Sequence, residues 1–115
     1  MRRMRKYSVR ITPSAIQDIE EIANFYLEMV DEVSAARFSD DVIATLESLD
    51  TFPESKAYFD EALNLRRVHV RNHKVSVVYV IDDGVYEVVA FGAFHTTSKP
   101  GAYTRVLIER LKELE

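Results

Sequence analysis

The chain of 115 residues contains no cysteine, only three glycines and three prolines, and no long apolar run. Without cysteine, disulfide frameworks, thiolate zinc sites and cysteine nucleophiles are excluded, which fits a reducing compartment. No stretch approaches the roughly 18 apolar residues of a membrane-spanning helix. The basic start MRRMRKYSVRIT lacks the apolar segment of a secretory signal. We therefore expect a cytoplasmic protein that has no membrane partner.

The composition that is present, 47% hydrophobic and 30% charged, is typical of a globular protein. This length predicts a single domain over residues 1–115 that folds alone and buries roughly two thirds of its unfolded-state surface. The net charge is −4, but it is uneven: between positions 12 and 61 there are thirteen acidic residues and only two basic ones, Arg37 and Lys56. A basic patch on the remaining chain can attract a phosphate backbone or an acidic protein. Alternatively, the uneven charge has no binding role and only reflects acidic residues on the solvated faces of the helices.

The first half of the chain predicts a strand followed by two helices. YSVRI, positions 7–11, alternates in polarity, and Thr12-Pro13 then supplies an N-cap and a proline at the first helical position. A second helix starts at a cap, Asp31 or Ser34, and ends near Phe52-Pro53. Since the connection is short, the helices form an antiparallel hairpin. Its apolar residues recur at helical spacing: Ile16, Ile19, Ile22, Ala23, Tyr26, Met29 and Val30, then Phe38, Val42, Thr45, Leu46 and Leu49.

From Leu65 the apolar period changes to two. The segments LRRVHVR, KVSVVYVI and VYEVVAFGAF predict three strands, and Asp83-Gly84 predicts a two-residue type I′ turn between the last two. The tail AYTRVLIERLKELE is a weaker amphipathic helix. The predicted fold class is therefore α+β: an N-terminal strand, an antiparallel helix hairpin, a three-stranded antiparallel meander and a short C-terminal helix. The tail's apolar stripe is Tyr103, Leu107, Leu111 and Leu114.

Strand register predicts two different sheet faces. If Asn72-His73 is a two-residue turn, directly opposed residues share a face. The turn at Asp83-Gly84 then brings His95 to the basic face, although a bulge in either strand would reverse part of this assignment. The predicted basic face carries Arg67, His69, Arg71, Lys74 and Ser76. The predicted core face carries Val68, Val70, Val75, Val77, Tyr79, Ile81, Tyr86, Val88, Ala90, Gly92 and Phe94.

The basic face is also partly apolar. We expect either the C-terminal helix or a partner chain to cover its apolar part, because contiguous exposed patches of this kind mark interaction sites. Alternatively, the cations only keep an edge strand soluble. The expected partner-binding residues are Arg67, His69, Arg71, Lys74, Val78, Val89 and Phe91.

The basic face offers one kind of chemistry. Cleavage of RNA by its own 2′-hydroxyl needs a base, cations near the phosphate and an acid, and Arg, Lys, His and Tyr supply these without a metal. His69 and His73 lie in a strand and its turn, an arrangement that disfavours zinc. No cofactor or metal is expected. The candidate catalytic set, His95, His69, Arg67, Arg71 and Lys74, could equally form an inert docking surface.

The order of these elements resembles the RelE/ParE superfamily of toxins from type II toxin-antitoxin modules, which includes plasmid stabilisation proteins. The resemblance covers nearly the whole chain, through YSVRITPSAIQDIEEIANFY, LRRVHV and VVYVIDDGVYEVVAFGAFH. The residues that carry it are the pair Arg66-Arg67, Tyr79, the DDG turn and the closing His95. Many relatives carry arginines where this chain has Thr96 and Thr97, and Ser76 replaces a frequent arginine.

The resemblance implies a toxin that an antitoxin neutralises, in a toxin-antitoxin hetero-oligomer. The long helix hairpin favours the ParE branch, whose members poison DNA gyrase. The alternative is the RelE branch, whose members cut mRNA on the ribosome, here with His95, Arg67, Arg71, Lys74 and Tyr103, helped by Lys99 and Arg105. The missing cations and the pI near 5.4 disfavour this nuclease. A third hypothesis is a toxin fold that has lost its activity and only binds a partner.

Overall fold

The first strand leads directly into the helix hairpin. β1 spans Ser8–Ile11, α1 spans Pro13–Met29 and α2 spans Glu32–Glu47 in the computed structural model, which describes residues 6–96 and 100–114. The Thr12 hydroxyl accepts a hydrogen bond from the N–H of Ala15 at 3.2 Å. The Asp31 carboxylate accepts one from Ser34 at 2.7 Å, which holds the pKa of Asp31 below its ordinary value. The predicted cap of α1 is confirmed, and of the two alternatives for α2 the cap is Asp31.

The remaining elements complete an α+β fold around one five-stranded sheet. Its strand order is β1-β5-β4-β3-β2, with β1 parallel to β5 and the other neighbours antiparallel. The predicted meander is β3 to β5, whereas the short β2 was not predicted. Thr97 and Lys99 lie outside the described residues. After two 3₁₀ turns at Ser48–Asp50 and Pro53–Ser55, the elements are β2 (Tyr58–Asp60), β3 (Leu65–His69), β4 (Val75–Asp82), β5 (Glu87–His95) and α3 (Pro100–Leu114).

The helix hairpin packs on one face of the sheet. Tyr79 is fully buried in this core, and its hydroxyl donates a hydrogen bond to the carbonyl of Pro53 at 2.5 Å. Burial raises the pKa of Tyr79 to about 12. Burying apolar side chains of this size stabilises the fold by roughly 1.5–3 kcal/mol each. The buried residues of this core are Ile22, Phe38, Val42, Leu46, Leu49, Val68, Val70, Val75, Val77, Tyr79, Val88, Ala90 and Ala93.

The third helix covers the other face of the sheet. Leu107 of α3 is buried against this face, and Tyr103, Leu111 and Leu114 pack around it, which confirms the predicted apolar stripe of the tail. Val78, Val89 and Phe91 are 0–4% exposed. In this conformation the protein's own C-terminal segment covers Val78 and Phe91. The role of these three residues in partner binding stays a prediction. The buried residues of this second cluster are Leu65, Val78, Phe91, Phe94 and Leu107.

The register between β3 and β4 confirms the first predicted turn. Arg67 lies opposite Val78 and His69 opposite Ser76. Asn72 adopts the left-handed conformation, with φ of 69°, which asparagine tolerates better than most residues. Arg67 and His69 therefore point away from the helix hairpin, as predicted.

The register between β4 and β5 differs from the prediction in two ways. The turn occupies residues 83–86 instead of two residues, and its left-handed residue is Tyr86. This shift of two places Tyr79 opposite Ala90 instead of Val88 but leaves both on the core face. A β-bulge then follows: Ala90 and Gly92 oppose Tyr79 and Val78, so Phe91 is an extra residue.

The bulge reverses the faces of the last residues of β5. Ala93 joins the hairpin core, whereas Phe94 packs beneath α3. The predicted positions of Gly92, Phe94 and His95 are therefore wrong, because one inserted residue exchanges the two faces of a strand. Within the described part of the chain, no helix has the length and apolar character needed to cross a membrane.

Candidate partner-binding site

Two of the predicted basic residues line one open depression. Arg67 and His69 project from β3 beside Ser76 of β4, on the face that α3 covers further along. The depression has a volume of about 520 Å³. Lys56 forms its opposite wall; the guanidinium of Arg66 holds this segment against β3 by donating to the Lys56 carbonyl at 2.6 Å. The lining residues are Lys56, Ala57, Arg67, Val68, His69, Ser76 and Thr96.

The polar groups of this depression are unsatisfied within the protein. The five ion pairs of the described residues involve none of Lys56, Arg67 and His69. Ser76 is only 2% exposed, and no hydrogen bond of its hydroxyl occurs within the described ranges. Every fully buried side-chain polar atom of those ranges has a partner, so this oxygen keeps contact with the open depression. The depression therefore presents two basic side chains, a histidine and a hydroxyl to a ligand.

The β3–β4 turn extends this basic surface. Arg71 and Lys74 are exposed, and neither forms an ion pair in the described part of the chain. Arg71 lines a second depression, of about 330 Å³, that adjoins the first through Lys56 and His69. The backbone of Lys74 is tied to the end of β5, since its carbonyl accepts a hydrogen bond from Thr96 at 2.9 Å.

The structure does not bring His95 to this surface. The ring of His95 packs edge-on against Phe25 of α1, with ring centroids 5.8 Å apart, on the helix-hairpin side of the sheet. Tyr103 of α3 packs against Phe94, with ring centroids 4.9 Å apart. Phe94 lies opposite Ser76 in the register, so Tyr103 is on the same side of the sheet as the first depression. The five-member catalytic set is therefore split: Arg67 lines the first depression, Arg71 lines the second beside α2, and His95 lies on the opposite side of the sheet from Arg67.

Sequence reasoning missed Lys56 as a site residue. A signal for it existed, because Lys56 is one of only two basic residues in the acidic segment between positions 12 and 61. A single basic residue in an acidic segment is a candidate for a specific role, because its charge differs from that of its neighbours. Its position opposite Arg67 depends on the packing of Arg66, which also lies 4.0 Å above the ring of Tyr58, and no local pattern predicts this.

His73 has a structural position that the sequence did not predict. Its Nε2 lies 2.8 Å from Oδ2 of Asp41, and its Nδ1 lies 3.2 Å from the hydroxyl of Tyr26. Because an ionised carboxylate only accepts, Nε2 donates to Asp41, and in the neutral ring Nδ1 then accepts from the Tyr26 hydroxyl. The ring also packs edge-on against Phe38, at 5.2 Å. His73 thus attaches the basic β3–β4 turn to both helices of the hairpin.

The sequence matches one protein family over most of its length. Residues 9–93 match the family described as ParE toxin of type II toxin-antitoxin system, parDE. This region contains both helices of the hairpin and nearly all of the sheet. It also contains Lys56, Arg67, His69 and Ser76. The chain therefore belongs to the ParE toxin family, the toxin side of type II toxin-antitoxin systems. No curated protein is significantly similar to the chain in sequence.

Solved structures share this fold at low sequence identity. The chromosomal ParDE system of P. aeruginosa matches with a TM-score of 0.69 at 14% identity, covering 78% of this chain and 96% of that one. The toxin-antitoxin complex RelBE2 from Mycobacterium tuberculosis matches with 0.51 at 23% identity, covering 81% and 94%. A mutant of the E. coli toxin RelE in the free state matches with 0.53 at 13% identity, covering 96% and 99%. These likenesses confirm the predicted RelE/ParE fold.

Proposed function

We propose that this protein is a cytoplasmic toxin that acts by stoichiometric binding, with DNA gyrase as its target, and that a cognate antitoxin neutralises it. The observation that carries the proposal is the separation of His95 from the cations of β3 by the thickness of the sheet. Membership in the ParE family supports the choice of gyrase, since the sequence resembles the branch whose members poison that enzyme.

The separation matters because RNA cleavage needs its groups at one phosphate. A general acid or base acts within hydrogen-bond reach of the proton that it transfers, or through one water molecule. His95 packs against Phe25 on the helix-hairpin side, away from a phosphate held by Arg67 and Lys56. Tyr103 lies on the side of the depression, against the cross-strand neighbour of Ser76, Phe94, but it has no histidine from the closing end of β5 beside it. A binding function needs no such convergence; it needs an accessible patch with unsatisfied charge, and the depression supplies one.

One observation favours the alternative of a ribosome-dependent mRNA endonuclease. His69 lines the same depression as Lys56 and Arg67, so it could serve as a base beside two cations. The net charge of −4 opposes this reading, because binding to a polyanion depends on neutralising its phosphates with protein cations.

The test measures both activities with the purified full chain. We expect inhibition of DNA supercoiling by gyrase at a fixed toxin-to-gyrase ratio, with intact mRNA in a translation extract. Cleaved mRNA with normal supercoiling would overturn the proposal in favour of the endonuclease. If both activities stay normal while the protein still binds an antitoxin, the protein has kept the toxin fold but lost the toxic activity.

A pair of charge reversals locates the effect. Arg67→Glu with Arg71→Glu is expected to abolish inhibition while the protein remains folded, because both side chains are exposed. The matched control is Lys6→Glu with Lys112→Glu, which reverses the same charge at two exposed positions outside this surface. Retained inhibition in the control assigns the loss to the basic surface; equal loss in both variants would mean that only overall charge matters.

A further inference from the structure

Three side chains from three parts of the fold form a hydrogen-bonded chain at the β3–β4 turn. The hydroxyl of Tyr26 in α1 lies 3.2 Å from Nδ1 of His73, and Nε2 of His73 lies 2.8 Å from Oδ2 of Asp41 in α2. We call these three residues the histidine relay. A hydroxyl that is hydrogen-bonded to a base, which a third group orients, is the arrangement of an activated nucleophile. The Tyr26 hydroxyl is therefore in a position to transfer its proton to His73.

The rings of the histidine relay are held in place by packing. Tyr26 and His73 both contact Phe38, and the ring centroid of Phe38 lies 5.2 Å from that of each. Phe38 is itself fully buried in the hairpin core, and the side chain of His73 is only 11% exposed. Side chains that packing fixes in this way need little reorientation when a proton moves between them.

The histidine relay borders a cavity of about 330 Å³ between α2 and the turn. Ligand pockets range over roughly 300–1,000 Å³, so this cavity admits a small molecule. Arg37 lines it, and the guanidinium takes part in none of the ion pairs of the described residues. A nucleophile, a base and a cation therefore meet at one small opening. The lining residues are Tyr26, Ser34, Arg37, Asp41, Asn72 and His73.

We propose that this cavity is an esterase-type site, in which the Tyr26 hydroxyl attacks the acyl carbon of small uncharged carboxylic esters. His73 takes the Tyr26 proton at Nδ1 as the tyrosine oxygen bonds to the acyl carbon. It gives this proton to the alcohol oxygen, which leaves with the electron pair of the broken C–O bond. Water then attacks the acyl-tyrosine, and one of its protons passes through His73 to the Tyr26 oxygen as the carboxylic acid leaves. Ester and water are thereby converted to acid and alcohol.

The charges at the cavity favour an uncharged carboxylic ester over a phosphate ester. Arg37 balances the single negative charge that develops on the carbonyl oxygen in the transition state. The carboxylate of Asp41 lines the same cavity and repels a phosphate, which is already an anion in the ground state. Asp41 bonds to His73 and not to the reacting atoms. It is therefore a positioning residue, which keeps the proton on Nε2 and leaves Nδ1 able to accept.

The probe is p-nitrophenyl acetate, added to the full chain and followed by p-nitrophenolate release and by mass spectrometry of the tyrosine peptides. Tyr58 is an internal control: it is exposed and its hydroxyl accepts from Arg66 at 2.9 Å, but it has no hydrogen bond with a histidine in the described ranges. Since a general base contributes about 10²–10⁴-fold, Tyr26 should be acetylated at least about tenfold faster than Tyr58. Equal acetylation of the two tyrosines would overturn the proposal. Release of only one p-nitrophenolate per chain would overturn its hydrolysis step.

Variants separate the roles of the residues. Tyr26→Phe keeps the packed ring and should reduce p-nitrophenolate release by about tenfold or more, whereas Tyr58→Phe should leave it unchanged. His73→Gln should lower the acetylation of Tyr26 to the rate at Tyr58, at a temperature where circular dichroism shows the variant to be folded. Asp41→Asn should lower the maximal rate at Tyr26 but not the ester concentration that gives half of it, a split that a loss of stability does not produce. Unchanged release by Tyr26→Phe would refute the site.

This activity depends neither on gyrase nor on an antitoxin. Ester hydrolysis by a wild-type chain that does not inhibit gyrase would refute the proposed function alone, whereas gyrase inhibition without ester hydrolysis would refute the esterase-type site alone.

Discussion

Arg110 of α3 and Asp18 of α1 form a two-point ion pair at the bulged end of β5, with distances of 2.6 Å from Nη1 to Oδ2 and 3.1 Å from Nη2 to Oδ1. Asp18 also accepts from the N–H of Ala93, and Arg110 donates to the carbonyl of Phe91, each at 3.0 Å. Since β1 pairs with β5 only as far as Ala90, the two side chains satisfy the backbone edge that β1 leaves open. The hydrogen bonds with Asp18 raise the pKa of Arg110.

Removing either partner of this pair is expected to destabilise the protein. Asp18→Ala leaves the Ala93 N–H without its acceptor and Arg110 with only the Phe91 carbonyl, in a partly buried place. This costs about 1–3 kcal/mol in the free energy of unfolding. Arg110→Met should cost a similar amount, and the double variant less than the sum of the two. Urea unfolding measures this, with Lys112→Met as control. Lys112 forms an exposed ion pair with Glu109 on the same helix, so its removal should change stability by less than about 0.5 kcal/mol.

Gly92 allows α3 to approach the bulge closely. A Cβ at this position would lie 2.8 Å from Cδ2 of Leu107 and 3.2 Å from Nη1 of Arg110. Leu107 is fully packed, so Gly92→Ala should destabilise the protein by about 1–3 kcal/mol through overpacking. The matched control is Gly101→Ala in the first turn of α3, where a Cβ meets nothing within 4 Å. Since alanine favours helix, the control should be neutral or more stable in thermal unfolding. If Gly92→Ala is as stable as the wild type, α3 can shift enough to accommodate the added methyl group.

Local chemistry made much of the fold predictable. The caps at Thr12 and Asp31 and the register across the Asn72 turn depend on residues within a few positions of one another. The bulge at Phe91 does not, although Gly92 inside a strand was a weak signal for it. Asp18 and Arg110 are 92 residues apart, so their meeting is a property of the tertiary fold and no spacing rule reveals it.

The site was predictable in part for the same reason. Alternation along β3 correctly assigned Arg67 and His69 to one open face. His95 was misplaced because its face depends on counting residues through a longer turn and a bulge. Ser76 was placed on the correct face, but the contact of its hydroxyl with the open depression depends on the tertiary packing around it, which a sequence does not express.

His73 attaches the basic turn to the helix hairpin. His73→Phe keeps the ring packing against Phe38 but removes the hydrogen bonds to Asp41 and Tyr26, so we expect a loss of about 1–3 kcal/mol in stability. Hydrogen exchange of the turn amides should accelerate more than that of β1. As a control, Asp41→Asn keeps an acceptor near Nε2 and should lose less. If His73→Phe is as stable as the wild type, the packing of the ring alone holds the turn.

Tyr79 predicts how stability depends on alkaline pH. Its folded-state pKa of about 12 lies above the ordinary value of 10.0 because burial disfavours the phenolate. The neutral phenol's contribution is therefore fully present below pH 10 and is lost as pH rises toward 12. The melting temperature of the wild type should fall more steeply across this window than that of Tyr79→Phe. The variant should be less stable at pH 7 by about 1–2 kcal/mol, because the Pro53 carbonyl loses its donor. Parallel pH profiles would contradict the assignment.

His95 separates the binding function from RNA cleavage. Because its ring contacts Phe25 and not the cations of β3, His95→Ala should leave growth inhibition within about threefold of the wild type when the toxin is expressed without antitoxin, whereas loss of a general acid or base costs about 10²–10⁴-fold. Phe25→Ala removes the same ring contact and is the matched control for stability. If His95→Ala abolished toxicity while Phe25→Ala preserved it, His95 would have a chemical role. The register found here would then describe a resting arrangement, and the endonuclease would become the better hypothesis.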